Sequence, residues 1–221
     1  MRYDSLRVSA AITAERDLEL IQLDVKSAFL NGIIDSEIYI KQPEGYVVPG
    51  RETDVCRLNK SIYGICQASR IWNQTLHNAL IDFGFTQSTT DPCVYSHITP
   101  SEYLIIAIWV DDGLVACSTR EIIDKTIRYL NTKFSISAGL AEHFVGIVIT
   151  RDRPNRKLYL STPQYVDKFL AKFNMSTTRT VSIPILKGTP RLSKTSRSTT
   201  TSEDMSSIPY RDAVGALCTP Q

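Results

Sequence analysis

The stretch Tyr103–Ser118, reading YLIIAIWVDDGLVACS, constrains the fold more than any other. An apolar run, Leu104 to Val110, meets the adjacent carboxylates Asp111 and Asp112; Gly113 and a second apolar run, Leu114 to Cys117, follow. Two strand-like runs separated by Asp and Gly read as a tight β-hairpin buried on at least one face. Carboxylates crowded at its tip raise each other's pKa unless something positive neutralises them. A divalent metal carried on a nucleoside triphosphate is such a neutraliser. Asp-Asp-Gly is also ordinary turn chemistry on a solvated loop, and the rest of the chain has to decide between the two.

Composition excludes several classes. With 43% hydrophobic and 22% charged residues, the 221-residue chain can bury a sizeable core. A net charge of +2 does not mark the whole chain as a nucleic-acid binder, although a local basic groove stays open. Cys56, Cys66, Cys93, Cys117 and Cys218 contain no CxxC pair, which argues against a zinc site or a disulfide framework and for a reducing compartment. No apolar stretch approaches membrane-spanning length and no signal-peptide pattern opens the chain, so an intracellular protein without a membrane partner is expected.

The elements follow from periodicity. Ser5 to Glu15 reads as a helix capped by Asp4 or Ser5. Glu19 to Val25 reads as a strand with Ile21, Leu23 and Val25 on one face and Leu20, Gln22 and Asp24 on the other. Further strands are expected at Glu37–Lys41, Asp54–Leu58 and Cys93–Ile98. A helix is expected from Ser69 to Phe83, stopped by Gly84. Ser118 and Glu121 have capping-box spacing for the next helix. Strand-like runs follow at Phe134–Ser137, His143–Thr150 and Lys157–Ser161. Thr162-Pro163 then opens a helix whose Tyr165, Val166, Phe169, Leu170 and Phe173 are expected to be buried. Ser and Thr dominate Ser193–Ser207, the composition of a flexible linker. The irregular alternation of strands and helices predicts an α+β fold with a mainly antiparallel sheet. His77, His97 and His143 have no Cys or His partner at ligand spacing and receive no metal role.

Several motifs in order resemble a known family. Gln22-Leu23-Asp24-Val25-Lys26-Ser27-Ala28-Phe29-Leu30-Asn31-Gly32 is similar to the first catalytic motif of copia-type retrotransposon reverse transcriptases. Gln42-Pro43-Glu44-Gly45-Tyr46, Leu58-Asn59-Lys60-Ser61-Ile62-Tyr63-Gly64 and Asp91-Pro92-Cys93-Val94-Tyr95 match its next landmarks. Trp109-Val110-Asp111-Asp112 stands where the family usually has Tyr-Val-Asp-Asp. Phe144-Val145-Gly146-Ile147 resembles the primer-grip turn, and Pro209-Tyr210-Arg211 with Ala213-Val214-Gly215 a later signature.

That resemblance implies an RNA-directed DNA polymerase that uses two Mg²⁺ ions, deoxynucleoside triphosphates, an RNA template and a DNA primer, with other polyprotein segments as further partners. In-line phosphoryl transfer develops charge on the attacking and leaving oxygens, and two bridged ions stabilise both. Asp24, Asp111 and Asp112 are the implied catalytic and metal-binding residues. Regular pleating turns Asp112 away from Asp111, so Asp24 and Asp111 are expected to face each other and Asp112 to be the weaker ligand. Phe29 is implied to sit under the incoming sugar, its other reading being a core phenylalanine. Tyr63, Gly64 and Gln67 are implied to lie beneath the templating base pair, where close backbone approach needs glycine. Phe144, Val145 and Gly146 are the implied primer grip, and Lys26, Lys60 and Arg70 are candidates for phosphate contacts. At the hairpin, turn propensity favours Asp112-Gly113 as the central pair. The resemblance instead implies a turn at Val110-Asp111, which the catalytic geometry also demands.

The chain departs from the family pattern at Cys66, Ser69 and Trp109, and around Ala138-Gly139-Leu140-Ala141, where the usual turn is lost. The resemblance implies a palm-like core over residues 1–150, with truncated fingers, and a partial thumb over 151–186. A linker over 187–208 and a truncated remnant over 209–221 complete the expected organisation, that of a truncated copy. The competing readings are a remnant that binds nucleic acid or polyprotein without turnover, and a palm-like nucleotidyl transferase or cyclase.

Overall fold

A computed structural model describes residues 1–182 and 209–218, and the chain divides into two compact units, Met1–Ser161 and Thr162–Gln221. The first unit opens with helix α1 (Tyr3–Glu15), strand β1 (Glu19–Val25) and a 3-10 turn, Ala28–Asn31. A ribbon of β2 (Tyr39–Lys41) and β3 (Val55–Arg57) leads to helix α2 (Ala68–Phe83). Then come β4 (Thr86–Gln87), β5 (Val94–Ile98), β6 (Tyr103–Trp109), β7 (Asp112–Cys117) and helix α3 (Arg120–Asn131). The unit closes with β8 (Ile136–Leu140), β9 (His143–Phe144), β10 (Ile147–Asp152) and β11 (Lys157–Ser161). The six-stranded sheet has the order β4-β5-β6-β7-β1-β8, beside a three-stranded sheet β11-β10-β9 and the β2-β3 ribbon. Every strand pairing is antiparallel, so the fold is mixed α+β with antiparallel sheets.

Burial follows the sequence pattern. Strand β6 is buried on both faces from Leu104 to Ile108 and reads as an unbroken apolar run. Strand β1 alternates: Ile21, Leu23 and Val25 enter the larger core with Trp72, Leu76 and Leu80 of α2 and Ile123 and Leu130 of α3. On the opposite face Ala107 and Leu114 join Leu6 of α1 and Phe144, Ile147 and Ile149 in a second core. Helix α2 ends where expected, at Gly84, whose φ of +107° is costly for any residue with a Cβ.

The differences from expectation have tertiary causes. Helix α1 begins at Tyr3 without a side-chain cap; the buried carboxylate of Asp91 instead accepts the Arg2 N–H at 2.7 Å. The residue before α3 is Thr119, not Ser118. The Ser118 hydroxyl takes the Tyr103 N–H at 3.2 Å and closes the far end of the β6–β7 ladder. The run His143–Thr150 is not one strand, because Val145-Gly146 folds it into the β9–β10 hairpin. The segment Ala138–Leu140 continues β8, paired to β1 from Ile136 to Leu140. The strand expected at Glu37–Lys41 is only Tyr39–Lys41. A boundary after residue 150 cuts β10; the first unit continues through β11, which pairs with β10 from Lys157 to Ser161.

In the second unit Thr162 and Pro163 start helix α4 (Pro163–Lys172), and α5 spans Tyr210–Cys218. The stripe expected to be buried is not: Tyr165, Phe169, Leu170 and Phe173 are half-buried and Val166 is exposed. Among the described residues this unit offers α4 only the nine-residue α5, linked to it by the Tyr165 hydroxyl donating to Ala216 O at 2.6 Å, so there is little apolar surface to cover the stripe. The linker expected over 187–208 lies outside the described residues. Among the described residues no helix is long and apolar enough to cross a membrane.

Candidate active site

The turn of the β6–β7 hairpin is strained, and the core holds it. Trp109 pairs with Asp112 and Ile108 with Gly113, which leaves Val110 and Asp111 as the central residues. The local preference for an Asp112-Gly113 turn is overridden. Val110 has φ +58°, an outlier for a β-branched residue. Two donors from elsewhere in the chain fix it. The Trp72 indole N–H donates to Val110 O at 2.6 Å, and the Val25 N–H donates to Asp111 O at 3.0 Å. Trp72 is 1% exposed and packs edge-on against Phe134 at 5.1 Å, so the anchor itself is rigid.

The register then decides which carboxylates meet. Asp24 at the end of β1 lies directly opposite Asp112 of β7, and residues directly opposite share a face. Asp112, expected to turn away, is thus the ladder partner of Asp24, and Asp111 stands at the turn beside them. The carboxylates act on one another. Burial raises the pKa of Asp112; the Gln22 amide opposes this, and the charges of Asp111 and Asp24 raise it further. Among the described residues no ion pair reaches any of the three.

The three carboxylates offer the hard oxygen ligands that a divalent cation takes. Among the described residues no group of three or more His, Cys, Asp and Glu side chains is arranged as a metal cage. Mg²⁺ keeps water and substrate phosphates in its shell and takes only one or two carboxylates from the protein. Uncompensated carboxylate oxygens on one sheet face fit that donor set.

The remaining predicted residues are distributed as follows. Beyond β1, Ser27 takes a left-handed φ of 50° and the 3-10 turn presents Phe29. The Phe29 ring is half-buried against the larger core and 4.6 Å from the exposed ring of Tyr63. Gly64 has a φ of +96°, a conformation that favours glycine, and a Cβ there would meet no protein atom within 4 Å. Gln67 precedes α2 without capping it through its side chain. Arg70 is held by Asp35 at 2.7 Å and is not a free phosphate ligand, whereas Lys26 and Lys60 are exposed. Phe144 is fully buried in the second core, and the turn residues Val145 and Gly146 follow it with φ of 49° and 78°. Val145 lines a small apolar pocket with Trp109, Tyr3 and Leu6, so this turn and the carboxylate hairpin share a wall.

Sequence reasoning missed three contributors. Trp72 reads as one more apolar residue on a helical stripe, although its N–H anchors the Val110-Asp111 turn. Gln22 donates to Asp112 at 3.3 Å, and its sequence signals are its place two residues before Asp24 on the same face and at the head of the first motif. Ser137 donates to Asp24 at 3.3 Å across β8 and β1, a pairing that no local pattern announces.

Comparison with known proteins shows what the chain is similar to. Residues 1–187 match the family described as reverse transcriptase (RNA-dependent DNA polymerase). The chain is 38% identical over 221 residues to a retrovirus-related Pol polyprotein from transposon TNT 1-94 of Nicotiana tabacum, covering 98% of this chain and 17% of that protein. It is 30% identical over 213 residues to the retrovirus-related Pol polyprotein from transposon RE1 of Arabidopsis thaliana, covering 96% and 14%. It is 29% identical over 134 residues to a transposon Ty1-BL Gag-Pol polyprotein of Saccharomyces cerevisiae, covering 58% and 7%. The chain therefore spans a small part of these relatives' length.

Proposed function

The chain belongs to the reverse transcriptase (RNA-dependent DNA polymerase) family, of the copia type carried in retrotransposon Pol polyproteins, and from that premise we propose that its first unit is a polymerase palm. In this reading it extends a DNA primer on an RNA template with deoxynucleoside triphosphates, and the second unit begins the thumb. The observation that carries it is the ladder pairing of Asp24 with Asp112, with Asp111 in a tertiary-held turn beside them and, among the described residues, no ion pair to any of the three.

When bound, two Mg²⁺ ions supply charge stabilisation at the attacking and leaving oxygens. Asp24, Asp111 and Asp112 are the residues that would hold them, offering acceptor oxygens that no ion pair occupies among the described residues. The fixed Val110-Asp111 turn keeps one of these carboxylates at the hairpin tip, so less reorganisation is needed at the moment of reaction. Phe29, backed by Tyr63, presents a ring where a 2′-hydroxyl would clash, which favours deoxynucleotides. Val145 and Gly146, on a rigid hairpin sharing a wall with Trp109, orient the primer end. Its triphosphate substrates are intracellular metabolites and none of the five cysteines is paired, which favours an intracellular location.

Primer extension on an RNA template with a DNA primer and Mg²⁺ tests this, alongside fluorescence anisotropy of the same labelled hybrid. Extension by the wild type that Asp111→Asn lowers about 10³-fold without loss of hybrid binding is the expected result. Tight hybrid binding with no extension by any variant would make the chain a binding module.

A further inference from the structure

Four residues stand in one row across the six-stranded sheet: Trp109 of β6, Asp112 of β7, Asp24 of β1 and Ser137 of β8, each directly opposite the next. Directly opposite residues share a face, so the two carboxylates lie side by side between an indole and a hydroxyl. One step inward the row is Ala107, Leu114, Gln22 and Gly139. From it the Gln22 amide reaches diagonally to Asp112 Oδ1 at 3.3 Å, while Ser137 Oγ–H donates to Asp24 Oδ2 at 3.3 Å. Gly139 leaves open space beside Gln22, because a Cβ there would meet nothing within 4 Å.

We infer that Gln22 and Ser137 are a pair of positioning residues that aim the Asp112 and Asp24 carboxylates at a shared divalent cation without neutralising them; the inference rests on the metal-binding reading above. The chemistry of the donors carries it. Two adjacent carboxylates repel and would rotate apart unless held. An Arg or Lys would hold them and also cancel the charge a cation needs, because an opposite charge nearby competes directly for the carboxylate. An amide and a hydroxyl are neutral donors. Each occupies one named oxygen, and the charge stays available. Outer hydrogen bonds of this kind orient metal-binding carboxylates in general. Both contacts are longer than usual, about 2.9–3.0 Å for an N–H donor and about 2.7–2.8 Å for an O–H donor, and hydrogen bonds at unloaded sites commonly tighten when the site fills. Ser137 lies on an exposed edge strand and packs into no core, so its hydroxyl has no evident structural duty.

Terbium(III), a hard oxygen-seeking ion, is the probe, with tryptophan-sensitised luminescence as the readout, since Trp109 flanks Asp112 in the row. Wild type is expected to bind it saturably, and Asp112→Asn to lose that binding. Gln22→Met and Ser137→Ala are each expected to weaken it about 10-fold. Luminescence lifetimes in light and heavy water should report more coordinated water in both variants, while Ser137→Thr keeps the wild-type values. Gln22→Met and Ser137→Ala binding with wild-type affinity and hydration, while Asp112→Asn fails, would overturn the positioning role. Equal binding by wild type, Asp24→Asn and Asp112→Asn would instead overturn the metal reading beneath it. Circular dichroism melting accompanies each variant; should Gln22→Met not fold, the exposed Ser137 pair decides alone.

Discussion

The two hairpins that meet beside Trp109 have turns of the same length and opposite origins. In the β9–β10 hairpin both central residues, Val145 and Gly146, have positive φ, the type I′ pattern whose twist suits antiparallel strands. Gly146 adopts φ 78° without steric cost, so glycine fills one of the two left-handed positions, while Val145 at φ 49° carries the strain of a β-branched residue there. In the β6–β7 hairpin only Val110 has positive φ, where a turn of that kind prefers glycine. Its backbone is held instead by Trp72 and Val25 from outside the hairpin. The first turn has a glycine at one of its two left-handed positions. The second is imposed by the core, and it is the one that carries Asp111. Strained backbone persists where surrounding structure over-determines it, and such places concentrate at functional sites.

Removing the outside support should cost most. Trp72→Phe deletes the N–H to Val110 O and leaves space in the core, and a loss of about 3 kcal/mol is expected by chemical denaturation. A change under roughly 0.5 kcal/mol, within the range of inconsequential substitutions, would show that the turn does not depend on its anchor.

Gly146→Ala should come next, at about 1–2 kcal/mol destabilising. A Cβ at Gly146 meets nothing within 4 Å, so the whole cost is conformational. Equal stability of this variant and wild type would remove the claim that the β9–β10 turn relies on its glycine.

At the strained turn the sign reverses. Val110→Gly should stabilise the chain by about 1 kcal/mol, the relieved strain exceeding the entropy cost of glycine, while primer extension falls because the turn loosens. Gained stability with undiminished extension would show the strain to be incidental.

The smallest effect belongs to pH. Burial, then the charges of Asp111 and Asp24, raise the Asp112 pKa in the folded chain above its ordinary value of 3.8. The ionised side chain therefore destabilises the fold above the raised pKa, and the penalty disappears as pH falls to the unfolded value. Asp112→Asn should be slightly more stable than wild type at neutral pH, with the gap closing as acid approaches the ordinary carboxylate range. A gap that widens on acidification would reverse the assignment.

The sequence by itself determined which residue types stand in which order and which face of each strand they occupy. The alternation of β1 put Leu20, Gln22 and Asp24 on one face before any partner strand was known, because the pleat has a period of two. The unbroken run of β6 likewise declared a strand buried on at least one face. Hairpin register was not legible in the same way. The turn at Asp112-Gly113 and the turn at Val110-Asp111 differ by two residues, so both satisfy the same facial pattern. Only the tertiary structure chose, because the donors that stabilise the strained alternative, Trp72 and Val25, are 38 and 86 residues away from the atoms they bind. For the same reason the pairing of β8 with β1, which brings Ser137 to Asp24 across 113 residues, was decided only when the sheet closed. Local rules reach as far as a turn or a strand face, and a site assembled from strand ends distant in the chain is fixed by the packing that brings them together.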